Sequence, residues 1–165
     1  MTPIDRFLLL LLLLFAATGA WALPQDKDAP VQIEADSGEL DQAKNRTIYK
    51  GNVHITQGTM ELWADQVIVQ YKGTRPWEIT ATGRPARFKQ LPEKGKAWIE
   101  GQGNRILYRI HSDELLLTGN AELKQQQDRF RSDRIVYDRR AGRLKAGSAA
   151  GGKQRVKVTI HPGRP

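Results

Sequence analysis

The sequence predicts an all-β chain built from stacked antiparallel strand repeats, and three observations carry that reading. Apolar residues alternate with period two from Val31 onward, turn residues recur at intervals of about ten, and no window holds the i, i+3, i+4, i+7 apolar stripe of an amphipathic helix. β-Branched and aromatic residues fill the alternating positions, as suits a pleated, half-buried surface. The 165 residues include 26 Lys+Arg, 18 Asp+Glu and no cysteine, giving a formal charge of +8. That composition excludes a disulfide-stapled scaffold and any thiolate metal site.

The first 22 residues stand apart, 16 of them apolar. Arg6 and the amino terminus form a basic start, Phe7 to Ala17 an unbroken apolar stretch, and Ala20-Trp21-Ala22 an Ala-x-Ala cleavage site. Residues 1–22 therefore read as a signal peptide, with the mature chain beginning near Leu23. The competing reading is a retained anchor, since Phe7 to Leu23 is close to the shortest length that spans a bilayer. The polar Gln25-Asp26-Lys27-Asp28 that follows at once favours cleavage, with a turn of helix expected near Asp26. Under either reading the rest of the chain is exported, and it contains no second long apolar run.

The predicted strands are four to eight residues long and centre on Val31, Ile33 and Ala35; Val53 and Ile55; Met60, Leu62 and Ala64; Val67, Val69 and Tyr71; Ile106, Tyr108 and Ile110; Leu115 and Leu117; and Val156, Val158 and Ile160. Turns are expected at Asp36-Ser37-Gly38, Lys50-Gly51-Asn52, Gln57-Gly58, Lys72-Gly73-Thr74, Thr82-Gly83, Gly119-Asn120 and Ala141-Gly142. The chain also repeats itself. Tyr49-Lys-Gly-Asn-Val-His-Ile-Thr-Gln57 aligns with Leu117-Thr-Gly-Asn-Ala-Glu-Leu-Lys-Gln125, and at the same offset of 68 Leu62-Trp-Ala-Asp-Gln-Val-Ile-Val69 aligns with Phe130-Arg-Ser-Asp-Arg-Ile-Val-Tyr137. Stacked units of this kind bury one apolar face each against their neighbours, which predicts two sheets with a continuous apolar strip between them.

Catalytic patterns are weak. His111-Ser112-Asp113 is consecutive, so on a strand its members point to opposite faces, and it reads as a polar loop. His54, His111 and His161 lie about 50 residues apart without the partnered spacing of a metal site. Asp36, Asp65 and Asp133 each follow a small residue, a repeated turn or edge position rather than a carboxylate pair. Gly101-Gln-Gly103-Asn-Arg-Ile106 lacks the third glycine of a dinucleotide fingerprint and the helix after it. No catalytic residue, metal or cofactor is expected.

Basic residues gather at Arg84, Arg87 and Lys89, at Arg129 to Arg134, at Arg139 to Lys145 and at Lys153 to Lys157. A solvated face explains such runs, but an export signal disfavours nucleic acid, and the aromatics sit in alternating strand positions rather than among the bases. An anionic ligand outside the cytoplasm remains, and a phosphorylated lipid joins that charge to a demand for an apolar interior. Alternation turns Phe88 with Ala86, and Tyr108 with Ile106 and Ile110, to one inner face. Arg84 and Arg87 are expected at the rim of that interior, against the lipid's phosphates. The first strand and the last candidate strand keep their apolar alternation, as edges used for strand addition do.

An export signal followed by Val31-Gln-Ile-Glu-Ala-Asp36, Tyr49-Lys-Gly-Asn-Val-x-Ile-x-Gln-Gly58, Leu62-Trp-Ala-Asp-Gln-Val-Ile-Val69, Gly83-Arg-Pro-Ala-Arg-Phe-Lys-Gln90 and Leu117-Thr-Gly-Asn-Ala-Glu-Leu-x-Gln125 resembles the OstA-like family of periplasmic lipopolysaccharide-transport proteins. The resemblance runs in order over about residues 30 to 146. It implies a slightly twisted β-jellyroll, open at both ends, that shelters acyl chains. It implies head-to-tail assembly between an LptC-like inner-membrane partner and an LptD-like outer-membrane translocon of the same fold. It also implies lipid contacts at Val31, Ile33, Tyr49, Phe88, Tyr108 and Ile110. Residues 23–146 then form the domain, and 147–165 a Gly-rich, basic tail with a possible last strand. The alternatives are the membrane-anchored partner of the same fold, or a carbohydrate-active jelly-roll enzyme, which an inward face of Val, Ile, Leu, Phe and Tyr disfavours.

Overall fold

The computed structural model describes residues 29–92 and 97–161, so the expected signal segment and the turn near Asp26 lie outside the described residues. The strands are β1 (Gln32–Glu34), β2 (Ser37–Asp41), β3 (Arg46–Gln57), β4 (Met60–Lys72), β5 (Arg75–Gln90), β6 (Ile99–Arg109), β7 (Glu114–Gln125), β8 (Asp128–Asp138), β9 (Arg143–Ala146) and β10 (Lys157–Thr159). All pair antiparallel in one sheet. From β3 to β8 each strand pairs with the next, whereas β1 and β2 share one edge on β3, and β9 and β10 share the other on β8.

The six long strands are each interrupted near the middle, and the interruptions fall in line. Register shifts lie between Lys50 and Val53, Trp63 and Gln66, Thr82 and Ala86, Gln102 and Arg105, and Thr118 and Ala121. An extra residue in a ladder bends the strand, and aligned bends fold the sheet along a line. At two of these bends a Gly-Asn pair takes positive φ: Gly51 at 77° with Asn52 at 45°, and Gly119 at 72° with Asn120 at 52°. A Cβ on Gly51 would stand 2.2 Å from Asp36 Oδ2, and that oxygen accepts a hydrogen bond from Asn52 Nδ2 at 2.9 Å.

This corrects two expectations. Gly51-Asn52, Gly83 and Gly119-Asn120 are bends within strands, not turns between them, so β3 to β8 run 11 to 16 residues rather than four to eight. The two apolar faces belong to one sheet folded on itself rather than to two sheets. Gln57-Gly58, Lys72-Gly73-Thr74, His111-Ser112-Asp113 and Ala141-Gly142 do connect strands, as expected.

The bends divide the molecule into two arms. The first arm holds β2, β9, the starts of β3, β5 and β7 and the ends of β4, β6 and β8; the second holds β1, β10 and the other halves. Inward residues of both arms form one buried cluster, with Val67, Ala81, Ile106, Leu117 and Ile135 from the first and Ile55, Leu62, Phe88, Ile99 and Leu123 from the second. The outer face carries cross-strand ion pairs, Glu61 with Lys89 at 2.9 Å and Glu100 with Lys124 at 3.4 Å, which contribute a few tenths of a kcal/mol each, about the usual size for exposed pairs.

Candidate functional site

Between the arms lies a narrow apolar cleft, about 20 Å³ in volume and lined mostly by buried core residues. Ile55, Met60, Leu62 and Phe88 line it from the second arm, and Ile79, Ala81, Ile106, Tyr108 and Leu115 from the first. Phe88 sits between Leu62 and Gly101 in the ladder, and its ring occupies the space above Gly101: a Cβ there would come 2.1 Å from Phe88 Cε1. Gly101 thus lets a large ring lie flat against the sheet without closing the cleft.

Tyr108 is placed between Ile79 and Leu115, with its ring toward the cleft and its hydroxyl at the end of the strand. The hydroxyl donates to Asp113 Oδ1 at 3.0 Å, and the Arg139 guanidinium lies 3.4 Å from the same oxygen and 5.3 Å from the ring centre. Burial pushes the Tyr108 phenol up to about 12, Arg139 opposing it and Asp113 reinforcing it. The polar end of this side chain is therefore tied at the mouth while its apolar body faces inward.

Of the other residues expected to touch lipid, Ile33 pairs opposite Ile55, and Tyr49 lies between Gly38 and Val67; both are half-buried against the core on the β1–β2 side. Burial, with Tyr71 nearby, raises the Tyr49 phenol as well. Val31 precedes β1 and is 51% exposed at that edge. Ile110 follows the last residue of β6 and opens the turn to β7; its N–H still donates to the carbonyl of Trp77 on β5 at 3.1 Å, but its side chain stands at the mouth and is not part of the apolar cluster. Phe88 and Tyr108 line the cleft together; the other four do not.

The two arginines expected at the rim are elsewhere. Arg84 is on the fold line, 3.7 Å from Asp65 Oδ2, and Arg87 is on the outer face between Trp63 and Gln102, because Ala86 and Phe88 take the inward positions. Arg139 is the cation beside the cleft mouth. Sequence reasoning missed Met60, Ile79, Ala81 and Leu115 as lining residues. Counting back across the His111-Ser112-Asp113 hairpin finds Leu115 opposite Tyr108, and Ile79 alternates with Ala81 ahead of the bend.

Among the described residues, five of the eight exposed large apolar ones belong to the two ends of the sheet: Val31 and Leu40 on the β1–β2 side, and Val156, Val158 and Ile160 on the β9–β10 side. Leu40 pairs with Thr47, itself opposite the buried Val69, and Val158 pairs with Phe130, so both face inward. The apolar interior is open at both ends.

The family described as LptA/(LptD N-terminal domain) LPS transport protein matches residues 32–143, from the start of β1 to the first residue of β9. The chain belongs to this family. It is 36% identical over 152 residues to the lipopolysaccharide export system protein LptA of Escherichia coli K12, covering 91% of this chain and 80% of that one. It is 31% identical over 169 residues to the lipopolysaccharide export system protein LptH of Pseudomonas aeruginosa, covering 95% and 97%. The crystal structure of LptH, described as the LptA-homologous periplasmic component of a lipopolysaccharide transport device, superposes with a TM-score of 0.76 at 28% identity, over 84% of this chain and all of that one. The matched region contains every bent strand and the whole lining of the cleft. Among the described residues no helix is long and apolar enough to cross a membrane.

Proposed function

We propose that this chain carries lipopolysaccharide through the periplasm from the inner to the outer membrane, sheltering acyl chains between its two arms. The observation that carries the reading is the apolar interior that runs between the arms and stays open at both ends. Transferring an acyl chain from water contributes about 0.8 kcal/mol per methylene, so a run of about ten outweighs anything exposed charges add at the mouth. Phe88 and Tyr108 touch the chain in the cleft, Ile33, Tyr49 and Val31 continue the path toward β1 and β2, and Ile110 meets it at the mouth. In the same reading residues 1–22 are removed on export, 23–146 form the carrier domain, and the tail from 147 completes its last edge. Head-to-tail copies, with an LptC-like protein at the inner membrane and an LptD-like protein at the outer, join these interiors. Relatives named as export-system proteins support a transport role rather than catalysis.

A photo-crosslinking residue at Phe88 or Tyr108 captures lipopolysaccharide on this reading, whereas one at Arg87, on the outer face one position away, does not. Equal capture at both faces would remove the cleft as the lipid's path.

A further inference from the structure

The ten strands reduce to eight bent ones when β1 with β2, and β9 with β10, are each counted as two pieces of one strand. With an even number of antiparallel strands, copies stacked with like arms in line bring the first and last strands together antiparallel: β10 beside the next copy's β1 in the second arm, and β9 beside its β2 in the first. Among the described residues these four strands pair on one side only, leaving their other backbone groups unpaired in the sheet.

Their charges are opposite in sign. Residues 31 to 41 hold four acids and no base, while residues 139 to 161 hold seven bases and no acid. Asp41 is already paired with Lys44 and Arg46, and Arg143 with Asp138. Among the described residues Glu34 and Glu39 on one edge, and Lys145 and Lys157 on the other, make no ion pair. All four face outward: Glu34 is opposite His54, Glu39 opposite the outward Ile48, Lys145 opposite Val136 and Lys157 opposite Arg131. The inward side of both edges is apolar instead, with Leu40 on one and Val158 on the other.

We infer that these edges are an electrostatically polar joint for a second copy of this chain, in which the acidic β1–β2 edge accepts the basic β9–β10 edge and rejects its own kind. The inference rests on the end-to-end assembly proposed above and adds what fixes its direction. Joined this way, Glu39 and Lys145 become neighbours on the outer face of the first arm, and Glu34 and Lys157 on that of the second, while the apolar interior continues beneath them. Opposite charges across strands favour the pairing, whereas head-to-head or tail-to-tail contacts would set like charges opposite each other. A lipid handed from copy to copy would then meet the same end of each copy first.

The test uses two full-length variants, Glu34→Lys/Glu39→Lys and Lys145→Glu/Lys157→Glu, with sedimentation for mass and circular dichroism for the fold. The unaltered chain should self-associate at about 0.1 M salt and at least about tenfold more weakly at about 1 M, where the screening length falls from roughly 10 Å to roughly 3 Å. Each variant alone should lose association by at least about tenfold, because its two edges now repel. An equimolar mixture should recover it, since each reversed edge finds a complementary one on the other variant. The neutral pair Glu34→Gln/Glu39→Gln should fall between and keeps the test valid if a reversal disturbs folding. If the unaltered chain associates but neither salt nor reversal weakens it, or the mixture does not recover, the polar joint is wrong while assembly stands. If the unaltered chain is monomeric at low salt as well, the assembly reading falls, and the joint with it.

Discussion

The central strands β3 to β8 and the edge strands β1, β2, β9 and β10 carry the same pattern, an apolar residue inward at every second position, and meet opposite fates. Val67, Ala81, Leu117 and Ile135 are fully buried, whereas Leu40 and Val158, on the same face, are 63% and 46% exposed. Composition does not distinguish them; the number of neighbours does. A central residue has a paired strand on both sides and the facing arm above, and an edge residue has one strand and water. Alternation therefore encodes a core only where the sheet continues, and elsewhere the same code describes an unfinished surface.

The sharpest way to break the central region is Gly101→Val. A Cβ at this position already overlaps the Phe88 ring, which is itself enclosed, so the larger side chain must force Phe88 out of its rotamer or push two ladders apart. The expected cost is about 3 kcal/mol, read as a lower urea midpoint, with lipid capture at Phe88 lost in parallel. Phe88→Leu in the same chain should recover part of it. An unchanged midpoint would mean that the ring has room to move, and that the centre is as unfinished as the edges.

What the sequence reveals follows the same division. Alternation turned Ala86 and Phe88 inward, and Ile106 with Tyr108, and in each case the central strands keep that face. Alternation alone does not say where a strand stops, so Ile110, in phase with Tyr108, falls just past the end of β6, bonded to Trp77 of β5 on one side and opening the turn to Asp113 on the other. The bends were illegible for a related reason. A Gly-Asn pair at positive φ serves a hairpin and a mid-strand bend equally, and only the cross-strand register separates them. Asp36 and Asp133, by contrast, take the turn and bend positions that their recurrence suggests, the Asp36 amide donating to the Gly51 carbonyl at 3.0 Å and the Asp133 carboxylate accepting from the Lys153 amide at 2.7 Å. Arg84 and Arg87 lie away from the rim because clustering in sequence is not clustering in space: neighbours on a strand alternate faces, and a bend intervenes.

Tyr108 sits where the two regions meet, its ring half-buried against the core and its hydroxyl tied at the mouth. Its folded value of about 12 lies above the ordinary 10.0, so the fold favours the neutral phenol. The sign follows from linkage: the stabilisation is fully present below pH 10 and is lost as pH rises toward 12. Tyr108→Phe should cost about 1 kcal/mol at neutral pH through the lost bond to Asp113, and should flatten the alkaline decline of stability between those limits. Urea midpoints measured up the alkaline range check both. An alkaline decline as steep in the variant as in the unaltered chain would show that the hydroxyl is wet, and that the mouth resembles an edge rather than the core.

The smallest effect on folding belongs to the edge itself. Val158 faces inward opposite Phe130 but keeps close to half its surface in water, and the three-residue strand that carries it is exposed throughout. Val158→Ala removes two methyl groups that are only partly withdrawn from solvent, and no enclosed cavity is left behind. The expected change in the monomer is within about 0.5 kcal/mol, against about 2 to 5 for Ile135→Ala on the neighbouring strand, where a buried side chain leaves a void. Both are read from urea midpoints at a concentration low enough to keep the chain monomeric, so that lost assembly does not register as lost stability. At high concentration the order should reverse for self-association: Val158→Ala trims the apolar side of the joint, and Ile135→Ala leaves it whole as long as the fold persists. A Val158→Ala cost matching that of Ile135→Ala in the monomer would show that β10 belongs to the finished core, and that the open end begins beyond it.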